Sequence, residues 1–347
     1  MRITFLCPHL RIAGGVRAIL SYADRLAGRG HAVEVLVPAK GRLSARWRSI
    51  IGAGPGWMSP FRAHVRWVAR WDAARLPDGD AVVATAWQSA PIVAAAPPRC
   101  GTKLYLVQHD ESLYHGSPAE VDATYRLPLR KIVISTWLHD VMRDRFASDA
   151  PVLVTPVDPA LFHPVAVTVT TSRPRVLMLH HHYQWKGVAD GLEAVARVKR
   201  RVPGLQLVGF GVKPPHERLP YDEFHVNPPQ SRLAGLYSAA DIFLCPSWDE
   251  GLGMPSMEAM ACGAALVTYD NGGCRDYARD GETALVAKRR DVDDLARKLE
   301  RLATDGALCA RLAAAGGDLV RTAFDWDRAV ARMEEIFGAT TRSHGRG

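Results

Sequence analysis

Glu250-Gly-Leu-Gly-Met-Pro-Ser-Met-Glu258 packs an acid, two glycines, a proline and a second acid into nine positions. Just ahead of it, Asp241-Ile-Phe-Leu-Cys245 is an apolar run of strand length. After Pro255, the residues Met257, Met260 and Ala261 recur at helical spacing. The glycines therefore fall where a strand becomes a helix. Gly251 and Gly253 allow a sharp turn and a close approach of backbone to ligand. Pro255 suits a first helical turn, where a missing N–H costs nothing. A helix start offers unpaired N–H groups and partial positive charge, which together hold anions. Glu258 is expected in that first turn and Glu250 in the loop leading to it. Taken singly, Glu258 reads as helix-dipole compensation and Glu250 as a solvated loop acid.

Outward from this stretch, short β-branched runs alternate with longer helical patterns through both halves of the chain, as in parallel α/β sheets. In the first half, residues 2–7, 32–37, 81–84 and 103–108 read as strands, and Val16–Gly28 as an amphipathic helix. In the second half the strands are 175–179, 205–210, 241–245, 264–268 and 284–286. They alternate with helices at about 188–202, 231–239, 255–262, 272–279 and 291–303. Pro164–Pro174, bounded by prolines and rich in Thr, is the linker candidate, although its Val/Thr alternation also fits a short strand. The pattern implies two doubly wound domains facing each other across a cleft, residues 1–165 and 172–323, followed by a helix over 324–338. Open sheets of this kind take ligands outside the carboxyl ends of their strands.

Composition agrees with this division. A chain of 347 residues suits two domains better than one core. Hydrophobic residues at 48% and charged residues at 23% are globular proportions, and no apolar run is long enough to span a bilayer. Met1–His9 reads as a first strand rather than a signal peptide. The six cysteines are scattered and form no C-x-x-C pair, so they are expected reduced and buried in a cytoplasmic protein. The net charge of +8 is uneven, with +7 of it in residues 1–170. Residues 41–71 hold Arg42, Arg46, Arg48, Arg62, Arg66 and Arg70 and no acid.

A ligand bearing both phosphates and hydroxyls explains the opening stretch better than its parts do. The helix start takes a diphosphate, and the carboxylates of Glu250 and Glu258 accept hydrogen bonds from hydroxyls. That ligand class is a nucleotide sugar. The stretch also resembles the most characteristic motif of the family-four retaining glycosyltransferases, two glutamates with seven residues between them around a glycine-proline turn. The continuation through Cys262-Gly263, Asn271-Gly-Gly, Arg275-Asp276 and Asp280-Gly281-Glu-Thr-Ala-Leu-Val286 is similar as well. The resemblance implies the GT-B fold of two facing Rossmann-like domains, an acceptor-binding first domain and a donor-binding second, with the helix over 324–338 crossing back. By it, Glu250 contacts donor-sugar hydroxyls and Glu258 the ribose, while amides of Gly251, Leu252, Gly253 and Met254 hold the pyrophosphate and sugar. Ala13-Gly14-Gly15-Val16 resembles the family's glycine pair near the donor phosphate, which is not a dinucleotide fingerprint. His109, after a strand, matches a histidine beside the donor sugar, although a lone histidine there also reads as a strand-end cap. Thr155-Pro-Val-Asp158 with Phe162 resembles a further family segment that usually begins Asn-Gly.

One departure stands out. Where the family has an Arg and then a Lys-Gly pair gripping the diphosphate, this chain reads His180-His-His-Tyr-Gln-Trp-Lys186-Gly187. Lys186 is kept, and His181 or a neighbour holds the Arg slot, where a histidine can donate a hydrogen bond or carry charge. Adjacent residues on a strand point to opposite faces, so the three histidines are not expected to share a metal. The triplets Asp78-Gly-Asp80, Asp291-Val-Asp293 and Asp325-Trp-Asp327 lie at turns and helix starts and read as structural. No metal or other cofactor is expected. The resemblance implies retaining hexosyl transfer from a nucleoside-diphosphate sugar to an acceptor hydroxyl, in bacterial polysaccharide, lipid-linked glycan or glycoconjugate synthesis. No carboxylate pair is an obvious nucleophile, so front-face attack is the expected course. Glu250, His109 and Lys186 are the catalytic candidates. A GT-B sugar-nucleotide epimerase and a non-catalytic sugar-nucleotide-binding subunit are the alternatives.

Arg62, Arg66 and Arg70, spaced by four, would form one stripe on a helix with Trp67 and Trp71 beside it. Two readings stand: a solvated helix with its tryptophans on the core, or a face for anionic lipid or a phosphate-bearing acceptor. The expected partners are the donor, a glycan, glycolipid or small-molecule acceptor, and an anionic membrane surface at the inner face of the plasma membrane. No nucleic acid is expected.

Overall fold

A computed structural model describes residues 1–168 and 174–341. The chain divides into two compact units. One is Met1–Thr155 with the residues from Asp327 on, and the other is Pro156–Trp326. Each contains a six-stranded, wholly parallel sheet.

In the first unit the strands are β1 (Arg2–Leu6), β2 (Ala32–Pro38), β3 (His64–Val68), β4 (Ala81–Ala84), β5 (Thr102–Val107) and β6 (Arg130–Val133), in the order β3-β2-β1-β4-β5-β6. In the second they are β7 (Arg175–Leu179), β8 (Gln206–Gly211), β9 (Glu223–Val226), β10 (Ile242–Cys245), β11 (Ala265–Tyr269) and β12 (Leu285–Ala287), in the order β12-β11-β10-β7-β8-β9. Both are the doubly wound Rossmann order, whose strand sequence reverses at β1/β4 and at β7/β10. The central strands are near-continuous apolar runs because helices cover both of their faces. In the second unit, Val176, Leu244, Val267, Leu295 and Leu299 share one fully buried core. The loops after β7 and β10 leave this sheet side by side at its switch point, which is where a ligand is expected.

Several sequence expectations change. The segment holding Arg62, Arg66 and Arg70 is not helical, because His64–Val68 pairs in register with Glu34–Pro38 as edge strand β3. The three arginines therefore share no helical stripe. Arg62 donates to the buried Asp24 carboxylate, Arg66 pairs with Glu34 at 3.1 Å, and Arg70 has no acidic partner among the described residues. The tryptophan indoles satisfy backbone carbonyls, Trp67 at Ala53 and Trp71 at Leu36. The helix expected at 272–279 is a short 3-10 turn over Gly273–Asp276. A further helix, Gly306–Ala323, was not foreseen. Residues 169–173 of the linker candidate, including its possible strand, lie outside the described residues. The helix Trp326–Thr341 is anchored in the first unit, where Glu334 meets Arg29 and His31 and the Ile336 carbonyl accepts from Arg130.

Candidate functional site

The opening stretch forms the turn between β10 and the helix Met254–Ala261. Gly253 is the N-cap, at φ 84°, and Pro255 occupies the first turn. The amides of Gly251, Leu252, Gly253 and Met254 lie at the start of this helix, where no intrahelical acceptor reaches them. Gly273 lies across this turn so closely that a Cβ there would come within 2.7 Å of the Glu250 carbonyl oxygen and of Leu252 Cα. The Asn271-Gly-Gly string thus clasps the turn: Glu250 N–H donates to the Asn271 carbonyl, and Gly273 N–H donates back to the Glu250 carbonyl. Buried Asn271 holds its own loop by accepting from Cys274 N–H and donating to Thr268. Nothing in the string Asn271-Gly-Gly itself reveals this role, which depends on its contact with the turn.

Glu250 meets Lys186, whose ammonium donates to its carboxylate at 2.6 Å. Both side chains are largely enclosed, at 21% and 12% exposure. The Lys186 loop is fixed by Gly187, at φ 62°, where a Cβ would collide with the Pro246 carbonyl. Trp248 N–H also donates to the Trp185 carbonyl at 2.8 Å. The loops after β7 and β10 are therefore one rigid piece, and the pair spans 64 residues of sequence.

Glu258 differs from expectation. It lies in the second turn of its helix, not the first, because the helix begins at Met254. It is 2% exposed and accepts a hydrogen bond from Tyr237 at 3.1 Å. Helix-dipole compensation from the first turn is thus not its role. Tyr277, also missed in sequence, is fully buried and donates to the Gly253 carbonyl.

The three histidines after β7 face different partners. His180 is buried against Tyr221, His182 lies on His216 at 4.2 Å, and His181 Nδ1 accepts from Tyr183 N–H at 3.1 Å. Burial, and then the charge of Lys186, push the His181 imidazole down to about 4. It is therefore neutral at pH 7 and not the cation that stood as one option in the Arg slot. Among the described residues no group of His, Cys, Asp and Glu could hold a metal ion. The aspartate triplets have structural partners: Asp78 meets Arg99, Asp80 caps Arg2 N–H, Asp291 caps Asp294 N–H, and Asp327 meets Arg29. The six cysteines are buried and form no disulfide.

In the first unit, Gly14 and Gly15 open the helix α1 (Gly14–Gly28). A Cβ on Gly15 would lie 3.2 Å from Gln108 Oε1, so the glycine pair sits against the loop that carries His109. That loop is pinned from beneath. Tyr125 OH donates to the His109 carbonyl and accepts from Glu111 N–H. The Glu111 carboxylate in turn accepts from Trp87 N–H and Tyr105 OH. Burial pushes the Glu111 carboxyl up to about 7. His109 Nε2 is buried with no hydrogen-bond partner among the described residues.

Residues 166–318 match the family described as Glycosyl transferases group 1. The second unit is a group 1 glycosyl transferase domain. Among curated relatives, the D-inositol 3-phosphate glycosyltransferase of Streptomyces bingchenggensis is 32% identical over 127 residues, 36% of this chain. The O-antigen biosynthesis protein RfbC of Myxococcus xanthus is 30% identical over 276 residues, 76% of this chain. The matches span only 28% and 21% of those two relatives. Among solved structures, Anabaena Alr3699/HepE in complex with UDP-glucose superposes with a TM-score of 0.74 at 15% identity, covering 98% of this chain and 100% of that one. The two sheets are those of the GT-B fold.

Proposed function

We propose that the chain transfers a hexosyl unit from a nucleoside-diphosphate sugar to an acceptor hydroxyl, with retention at the anomeric carbon and no divalent ion. The observation that carries this reading is the enclosed Lys186–Glu250 pair beside the glycine turn that opens the helix at Met254. Amides at a helix start and an ammonium neutralise a diphosphate. A carboxylate held in the same place accepts from sugar hydroxyls. In this assignment Gly251 to Met254 and Lys186 receive the diphosphate, Glu250 orients the donor sugar, and Glu258 takes the ribose hydroxyls. Neutral His181 supplies a hydrogen bond from Nε2–H where the family commonly has a charge. By the family resemblance, His109, whose Nε2 has no hydrogen-bond partner among the described residues, is assigned to the donor sugar, and Gly14 and Gly15 to the phosphates.

Stabilising the departing diphosphate is then the main catalytic contribution. In a front-face reaction the anomeric C–O bond to the diphosphate breaks, the acceptor oxygen bonds to the same face, and the leaving phosphate oxygen takes the hydroxyl proton. The fold shared with a UDP-glucose-bound structure supports a nucleotide-sugar donor. The O-antigen and inositol-phosphate relatives support a glycan, glycolipid or small polar acceptor in bacterial polysaccharide or glycoconjugate synthesis. Two measurements test the reading. A thermal-shift panel of uridine, guanosine, thymidine and adenosine diphospho-sugars identifies the donor, since a ligand of the folded state raises stability. Release of nucleoside diphosphate is then followed with and without acceptor. Release only with acceptor is expected; release without acceptor points to an epimerase, and binding without release to a non-catalytic subunit. Lys186→Ala should weaken affinity for the free nucleoside diphosphate, and unchanged affinity by calorimetry would remove the phosphate role of Lys186.

A further inference from the structure

The helix α2 (Gly41–Ile50) of the first unit turns its apolar side outward. Leu43, Trp47 and Ile50 are 86%, 60% and 72% exposed, and Ile51 follows at 53%. Their i, i+4, i+7 spacing places the first three on one stripe. Ala45, on the opposite side, is the helix's buried residue, and Arg48 stacks its guanidinium over Trp67 of β3 at 4.5 Å. The helix is thus seated by one side and unpartnered on the other. Of the eleven exposed large apolar side chains among the described residues, four lie in this short segment.

Charge surrounds the stripe. Residues 39–71 hold Lys40, Arg42, Arg46, Arg48, Arg62, Arg66 and Arg70 and no acid. Arg42 and Arg46 border the stripe on one side. Between α2 and the ends of β2 and β3 lies a cavity of about 550 Å³, lined by Arg42, Arg70, Arg75, Trp71 and Asp72. The acid Asp72 is engaged by Arg75 at 3.4 Å, and the other two lining cations, Arg42 and Arg70, are both exposed.

We propose that α2 and the arginine-lined cavity beside it dock on an anionic phospholipid bilayer, with Leu43, Trp47 and Ile50 entering the interface and Arg42 and Arg70 receiving a headgroup phosphate. An interfacial amphipathic helix needs an apolar stripe, a tryptophan and flanking cations, and all three are present. A second copy is the poorer occupant, because it would set one acid-free basic segment against another. A nucleic acid backbone would meet the arginines and leave the apolar stripe in water. This inference does not rest on the transferase reading.

Flotation of the full chain with phosphatidylcholine vesicles, with and without phosphatidylglycerol, tests it. Binding is expected only with the anionic lipid, and is lost at high salt. Removing Arg42 or Arg70 should lower partitioning about fivefold each. Leu43→Ser, Trp47→Ser and Ile50→Ser combined should reduce it on the order of tenfold or more, with thermal melting unchanged because these side chains face solvent. Lipid-borne quenchers should dim the fluorescence that Trp47→Phe removes. Equal, negligible flotation with neutral and anionic vesicles overturns the proposal. So does a triple serine variant that floats like the parent, since cations alone would then explain the binding. Concentration-dependent self-association abolished by the same three substitutions would instead assign the stripe to a second copy.

Discussion

Residues 250–258 and residues 62–70 both read in sequence as ligand-facing segments, and the structure treats them differently. The first reading rests on residues with steric demands. Gly253 is at φ 84°, which a glycine adopts freely, and Pro255 fits one place in a helix. Those demands are local, so the strand-turn-helix follows from the string itself. The second reading rests on a spacing of charges. Arginine tolerates helix and strand alike, and an i, i+4 recurrence of cations does not fix a period when the residues between, His64-Val-Arg-Trp-Val68, alternate as a strand does. Partners that decide these arginines, Asp24 and Glu34, lie far off in sequence. Residues at sterically demanding positions carry structure in a short string, whereas charges carry it only once the fold has chosen their partners.

The largest effect should come from the sterically demanding positions. A Cβ at Gly253 would meet Tyr277 OH at 2.5 Å, and the left-handed backbone adds strain of its own. Gly253→Ala should therefore destabilise the chain by about 3 kcal/mol or more, measured by chemical denaturation. A variant as stable as the parent would break the claim that this turn is sterically fixed. Next comes Glu250→Ala. It removes the proposed donor-sugar contact from a site whose backbone is held by Asn271 and Gly273, so transfer should fall on the order of 10²-fold while the fold persists. Near-parental transfer would separate the motif's geometry from its proposed chemistry.

The same contrast explains how much of the molecule was legible. The central strands are buried apolar runs and read directly. Three of the four sheet edges did not. β3 and β9 are only partly buried, and Arg130 and Lys131 interrupt β6 because their side chains reach the Ile336 and Leu127 carbonyls. An edge strand has one neighbour and needs less apolar composition. The helix Gly306–Ala323 was hidden by Gly316 and Gly317, which look like breakers. A Cβ on Gly316 would in fact meet Met260 at 2.6 Å, so that glycine lets two helices pack closely. At the site, the glycine turn, Lys186 and the glutamates could be named from the string. The Lys186–Glu250 contact, the neutrality of His181 and the burial of Glu258 could not, since each depends on loops brought together by the sheet.

The His109 loop lies between the two extremes, held by a carboxyl whose environment the sequence does not reveal. Glu111 is pushed up to about 7 from an ordinary 4.5, chiefly by burial. Between those values the folded chain binds more protons than the unfolded chain. Its contribution is therefore present below pH 4.5 and is lost as pH rises through 7. Glu111→Gln keeps an oxygen to accept from Trp87 N–H and Tyr105 OH and does not titrate. Its stability relative to the parent should rise between pH 5 and 8 by about 2 kcal/mol. A pH-independent difference between the two melting curves would place the charge cost elsewhere.

The smallest effects fall within the basic segment and sharpen the comparison most directly. On one helical stripe, Arg62 and Arg70 would have been equivalent. In the strand-and-loop structure they are not. Arg62 meets Asp24 through its side chain and its own N–H. Asp24 is 5% exposed, so Arg62→Ala leaves a carboxylate enclosed with less compensation, although the hydrogen bond it accepts from the backbone N–H of residue 62 survives. A loss of about 1–2 kcal/mol is expected, because Arg62 itself is half in water. Burial alone would raise the Asp24 carboxyl, but hydrogen bonds and charge from Arg62 hold it below the usual range. That stabilisation is present above an ordinary aspartate value and fades as pH falls through the lowered one. The cost of Arg62→Ala should therefore shrink in acid. Arg70, an exposed residue of the cavity lining, has no buried acid to protect, and Arg70→Ala should change stability by less than about 0.5 kcal/mol at any pH. Equal costs for the two substitutions, or a pH-independent cost for Arg62→Ala, would contradict the structure's division of this segment.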